Sequence, residues 1–254
     1  MRKRIIFRPL KDEYQTILIR CTTLEKFVNP PEFIVKDPRR LDDIFAMWTQ
    51  VHEICHNMAT KQKYRDAEKA LYVMTEPSIP EDEEHRKIID KRIKEAEWII
   101  WNIPKYKEIL KYYDIIGNYK SYEQTFQIEI ECSWYLVILQ GTMDAELMND
   151  ELLDYKTAST MYTEEMVKKK RQQYYYTVLH NVVNETEQDK YFTYLCITKH
   201  KKAQHWAFRT HCDYQDSINI LKRDLKAYLI RLKEDEQNSE VVQGDTDWEV
   251  LWDE

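Results

Sequence analysis

Glycine is scarce: the 254 residues contain only three, Gly117, Gly141 and Gly244. Glycine-rich phosphate loops and dinucleotide fingerprints need several closely spaced glycines, because only a backbone without Cβ wraps a pyrophosphate that tightly. Nucleotide binding through those motifs is excluded, and Walker-type loops and helicase motifs are missing too. Cysteine is present without any pairing pattern. Cys21, Cys55, Cys132, Cys196 and Cys212 are odd in number, widely spaced and free of CxxC. That usage predicts reduced, buried thiols in a reducing compartment. An iron–sulfur cluster on Cys21, Cys196 and Cys212 lacks a fourth ligand at a sensible spacing. Long apolar runs are absent as well: nothing approaches the roughly 18 residues of a membrane span. The apolar piece of the opening MRKRIIFRPL is too short for a signal-peptide core. The expectation is a cytoplasmic protein with no membrane partner.

What is present describes a globular domain. Hydrophobic residues make up 43% and charged residues 33%, which suits a soluble fold with a real core. The first third reads as helical, with apolar residues at three- and four-residue spacing over 41–63 and 81–101. Pro104 interrupts, and a short helix follows to about residue 116. After Gly117 the period changes to two. In 125-TFQIEIE-131, Phe126, Ile128 and Ile130 alternate with polar residues. Further strands are predicted at 135–147 and 151–157, then a long helix over 163–183 with Thr163 as N-cap. Strands at 191–198 and 204–210 and a helix at 214–234 complete the order. This predicts an α/β fold, a mixed central β-sheet flanked by helices. A single domain spans 1–234, with a helical N-terminal part (1–120), a core (121–234) and an acidic tail (235–254).

Charges inside 141-GTMDAELMNDELLDYKTAST-160 point to chemistry, because strand interiors avoid carboxylates unless one face is wet. Asp154 and Lys156 share a face by period alone. Asp144 joins them only if the turn is right. A two-residue loop at 149–150 sets it opposite Tyr155, whereas a three-residue loop at 148–150 sets it opposite Asp154. Two facing carboxylates repel unless a cation lies between them, and oxygen ligands suit Mg²⁺ or Mn²⁺. A lysine beside such an ion can hold a water or neutralise charge on a phosphate.

Gly141-Thr-Met-Asp144, Asp154-Tyr-Lys156-Thr157 and 172-QQYYY-176, in that order, resemble the PD-(D/E)xK nuclease superfamily. The likeness is to RecB-type exonucleases and CRISPR-adaptation nucleases without the iron–sulfur cluster. It is close over about residues 120–180 and otherwise rests on element order. The resemblance implies a restriction-endonuclease-like core and a Mg²⁺- or Mn²⁺-dependent deoxyribonuclease, an exonuclease more than a sequence-specific endonuclease. It implies roles in recombination, repair or phage DNA processing. Asp144, Asp154, the Tyr155 carbonyl and His52 would hold metal, with His56 as the alternative histidine. Lys156, Gln172 and Tyr176 would complete the catalytic set. The run Lys168, Lys169, Lys170, Arg171 lies just before Gln172 and is a candidate for DNA-backbone contact, and 199-KHKK-202 is a second basic block. The compact, glycine-poor chain suits a phage-infected or bacterial cell. A catalytically silent DNA-binding subunit that retains the core is the alternative. Trp248 and Trp252 make the acidic tail a candidate docking segment for a protein partner.

Overall fold

The computed structural model describes residues 3–30, 37–158 and 161–239. The chain begins with two six-residue strands, β1 (Lys3–Arg8) and β2 (Gln15–Arg20), and then α1 (Cys21–Val28). Helices α2 (Pro38–Ala59), α3 (Arg65–Met74) and α4 (Glu83–Tyr112) precede the long strands β3 (Tyr119–Cys132) and β4 (Tyr135–Leu147). β5 (Leu152–Ala158), α5 (Glu164–Lys169), α6 (Gln172–Asn184), β6 (Lys190–Thr198), β7 (His205–Cys212) and α7 (Tyr214–Ser239) follow. No helix among the described residues is long and apolar enough to cross a membrane.

One seven-stranded mixed sheet runs in the order β1-β3-β4-β5-β6-β7, with β2 joined to β4. The expected α/β architecture holds. Leu152 and Leu153 illustrate its layering, since successive strand residues point to opposite faces. Leu152 lies in a core with α1, α6 and α7, through Leu24, Leu179 and Leu225. Leu153 lies in a second core with α2, α3 and α4, through Ile54, Leu71 and Ile99.

Three elements differ from expectation. The N-terminal third is not wholly helical, because β1 and β2 pair in parallel with β3 and β4. Each presents only two residues inward (Ile5 and Phe7, Ile17 and Ile19), too few to show a period. Pro104 does not interrupt α4, which runs through it for 30 residues. Proline in a helix interior costs about 3 kcal/mol. Burial of Ile99, Ile103, Tyr106 and Ile109 on both sides of it outweighs that loss. Finally, the helix expected over 163–183 is two helices, broken where Lys170 adopts an extended backbone (ψ 139). Of the acidic tail, residues 235–239 continue α7; Trp248 and Trp252 lie outside the described residues.

Candidate active site

The site begins with a fork in the sheet. β3 occupies one edge of β4 along its length, so β2 and β5 share the other. β2 pairs with residues 135–140 of β4, and β5 pairs only with Ala145 and Glu146. Residues 141–144 therefore face a gap between two strands. That gap carries the GxxD segment.

The hairpin uses the three-residue loop. Leu147 N–H donates to Glu151 O at 2.9 Å, Asp150 N–H to Leu147 O at 2.9 Å, and Asp150 has φ +61°. A type I turn closed by a left-handed residue is the usual form of such a loop, and aspartate tolerates that backbone. The register then sets Asp144 opposite Asp154. Instead of extending the ladder, Asp144 enters the fork: its Oδ2 accepts the Tyr155 N–H at 2.7 Å. β4 also changes face at this point. Val137, Leu139 and Met143 belong to the first core, but Ala145 belongs to the second. Glu123, between the β3 partners of Met143 and Ala145, takes φ +42°.

Four charged or polar groups meet there. Lys156 Nζ lies 2.5 Å from Asp154 Oδ2, and both side chains are almost buried. His52 of α2 brings Nδ1 to 3.4 Å from Asp144 Oδ2. Its ring is held edge-on by Trp48 and Tyr155, and its Nε2 is buried without a hydrogen-bond partner. His56 instead stacks on Tyr122, away from the carboxylates. The geometry brings His52 to the site and leaves His56 out. Burial, with help from Asp144, pushes the Asp154 carboxyl up to about 6 against the opposing pull of Lys156. Burial would also raise Asp144, but His52, Lys156 and the Tyr155 N–H hold it below the usual carboxylate range. Lys156 is desolvated, yet the two carboxylates keep its ammonium above its ordinary value. The Tyr155 side chain points into the second core, where its hydroxyl meets that of Tyr119.

Gln172 and Tyr176 reach the same cleft from α6. The Tyr176 hydroxyl donates to Thr142 O at 2.9 Å, and Gln172 Nε2 lies 3.5 Å from that hydroxyl. Glu25, which the sequence reading missed, explains why α6 starts where it does. Its Oε2 accepts the N–H groups of Arg171 and Gln172 from across the chain, and Asn29 Nδ2 donates to Lys169 O at 2.6 Å. A buried carboxylate on two free N–H groups at a helix start satisfies both and complements the helix dipole. Glu25→Ala is expected to cost about 1–2 kcal/mol, the range of a lost N-cap. Urea unfolding would show it; a midpoint equal to wild type contradicts the capping role.

The cleft has a volume of about 610 Å³ and is lined by Asp144, Asp154, Lys156, Gln172 and Tyr176. Besides Lys156, its cationic lining comes from Arg20, Lys26 and Lys170. Of the run 168–171, Lys170 lines the cleft. Lys168 and Lys169 pair with Glu164 and Glu165 on the exposed face of α5, and Arg171 Nε lies 3.6 Å from Asp224. Arg20 and Lys26 were missed because β2 and α1 are too short to announce themselves.

All five cysteines are free and buried. Among the described residues no three His, Cys, Asp or Glu side chains gather as a metal cage. What the site offers a cation is a pair of carboxylates, a nearby imidazole and backbone carbonyl oxygen. That donor set fits a hard divalent ion that keeps several waters.

No family model and no curated protein matches the chain. Several solved structures match the chain. SSO0001 shares 13% identity over 86% of this chain and 78% of its own, with a TM-score of 0.35. A protein from Eubacterium rectale named "Putative exonuclease" shares 12% identity over 95% of this chain and 93% of its own, with a TM-score of 0.51. At that identity the second likeness shows a common α/β fold spanning nearly the whole of both chains.

Proposed function

We propose that this chain is a divalent-metal-dependent deoxyribonuclease that degrades DNA from an end. The observation that carries the reading is the fork, where Asp144, Asp154 and Lys156 converge in a cleft with cationic lining. A fold neighbour bearing an exonuclease name agrees with it. Asp144, Asp154, the Tyr155 carbonyl and His52 are the groups that would hold Mg²⁺ or Mn²⁺. When bound, such an ion would activate water and polarise the phosphoryl oxygens. The protein supplies the rest. Arg20, Lys26 and Lys170 draw the backbone into the cleft. Lys156 orients the attacking water and offsets charge that grows on the phosphate. Gln172 and Tyr176 brace the strand edge at Thr142, which keeps Asp144 in place.

The test is a gel of end-labelled linear DNA with EDTA, Mg²⁺ or Mn²⁺. Wild type is expected to shorten the label from one end only with a divalent ion. Asp154→Ala is expected to lose at least about a hundredfold in rate. Equal cleavage by Asp154→Ala, or by wild type in EDTA, sinks the assignment.

A further inference from the structure

The longest described helix, α4, uses one face to build the fold and leaves another open. Ile99, Ile103, Tyr106 and Ile109 belong to the second core. On the outer side Trp101 and Tyr112 are each 75% exposed. Eleven residues advance a helix by about three turns and 20°, so the two rings lie on one stripe, roughly 16 Å apart. Exposed rings scattered singly would mean little. The charges set around Trp101 mean more.

Those charges are ordered about the indole. Glu97 stands four residues before it and Lys105 four residues after it. Lys94 stands seven residues before it and Glu108 seven residues after it. Such spacings keep all four side chains within about 40° of Trp101 on the helix surface. Each acid on one side thus has a base at the same distance on the other. Glu97 and Glu108 are exposed and form no ion pair among the described residues. Lys105 Nζ donates to Ala203 O at 2.5 Å, and Lys94 Nζ lies 5.0 Å from the centre of the Trp98 ring. Neither ammonium meets a carboxylate of its own chain among the described residues.

A different protein would need no reversal of sign about a central residue. A second copy needs it, because a twofold axis through Trp101 sets each residue of one antiparallel helix against the one equally far beyond Trp101 on the other. We infer that α4 is the interface of a twofold dimer, with two α4 helices antiparallel and the Trp101 rings on the axis. Glu97 faces Lys105 of the partner subunit, and Lys94 faces Glu108 of the partner subunit. Four ion pairs then frame the indoles and fix the register. A parallel pairing would set like charge on like charge and is opposed by the same groups. Aromatic side chains bury about 150–250 Å² each, so the two indoles and two Tyr112 phenols cover at least roughly 600 Å². With the lysine and glutamate stems the contact reaches the ~1,000 Å² of a small specific interface, which suits association at micromolar concentration. None of these residues lines the cleft, so the dimer leaves its lining intact.

Sedimentation equilibrium of the full-length protein, without DNA or metal, tests the dimer. Between ~1 and ~100 µM, wild type is expected to pass from one chain to two. Trp101→Ala changes a side chain already open to water and is expected to weaken association at least tenfold, roughly the loss of a central aromatic anchor. Lys94→Glu sets carboxylate against carboxylate twice in each dimer and should weaken association about fivefold. Adding Glu108→Lys to Lys94→Glu restores the pairs with their signs exchanged, and association should return to within about twofold of wild type. A folding defect would not be repaired in that way. Wild type that remains a single chain at ~100 µM overturns the dimer and leaves the stripe to another protein. Association of Trp101→Ala equal to wild type overturns it too, as does a double variant no tighter than Lys94→Glu alone.

Discussion

Lys156→Ala is expected to reduce DNA hydrolysis about a thousandfold and, without a divalent ion, to lower the stability of the protein as well. Both effects follow from one contact. The Lys156 ammonium sits 2.5 Å from Asp154 Oδ2, within a pair of side chains that are 14% and 5% exposed. Removing one partner of so buried a pair usually costs 3–5 kcal/mol, about what an uncompensated buried charge demands. Asp144 adds to the cost, because it lies near and carries the same sign. In catalysis the lost ammonium is a charge aimed at the phosphate, and losing one such group typically costs a factor of about 10²–10³ or more. Lys156→Arg should not restore the rate, since a planar guanidinium is wider than the compact ammonium that fits between these walls. A divalent ion should partly replace the missing charge. At a concentration a hundred times its dissociation constant, an ion stabilises the fold by about 2.7 kcal/mol. Thermal scans with and without Mn²⁺ should therefore show an upward shift for wild type and for Lys156→Ala, and little for Asp154→Ala. If Mn²⁺ shifts none of the three, the carboxylates do not form a cation site. Cleavage by Lys156→Ala within threefold of wild type removes the role given to the lysine.

Period and turn chemistry made the hairpin legible in advance. Asp154 and Lys156 share a face through alternation alone, and the two loop lengths gave two distinct positions for Asp144. Asp150 in the left-handed region selects the three-residue loop. What period could not reveal is that Asp144 leaves the ladder. A reversal of face between Met143 and Ala145 depends on the neighbouring strand, where Glu123 takes a backbone rare for its type. The break before α6 was hidden for a similar reason. Residues 163–183 keep a helical period throughout, and the interruption comes from Glu25, 147 positions from Gln172. Capping by a distant side chain leaves no mark in the local sequence. β1 and β2 were lost through shortness, and with them Arg20, Lys26 and the open edge that forms the fork. Pro104 misled in the opposite direction, as a strong local signal overruled by burial on both sides. His52 and His56 were indistinguishable by spacing on one helix; they differ in which ring the neighbouring strand leaves room for.

Gly141→Ala should be among the most damaging single-methyl changes in the chain. Gly141 does not need glycine for its backbone, since the only described glycine in the left-handed region is Gly117. It needs space. A Cβ would lie 3.0 Å from Cys21 Sγ and 3.0 Å from Leu179 Cδ1, and closer still to Cε1 of Tyr176. None of these atoms is the end of a flexible surface chain. Cys21 and Leu179 are fully buried, and Tyr176 is fixed by its bond to Thr142 O, one residue beyond the glycine. The ring must move, and its hydroxyl leaves the strand edge that steadies the fork. Overpacking of this kind costs about 1–3 kcal/mol. The activity should fall further than the stability suggests, because Gln172 and Asp144 both depend on that brace. Gly141 and Tyr176 are therefore partners through this contact, and a double-mutant cycle can measure their coupling. Tyr176→Ala alone loses the brace and the packing, but it opens the room that the new methyl needs. Combining it with Gly141→Ala should therefore be less destabilising than the sum by about 1 kcal/mol or more, beyond the ~0.5 kcal/mol within which independent sites add. Strict additivity in chemical denaturation would mean that the methyl clashes elsewhere, and that the glycine of GxxD and the tyrosine of QxxxY are not coupled through this contact.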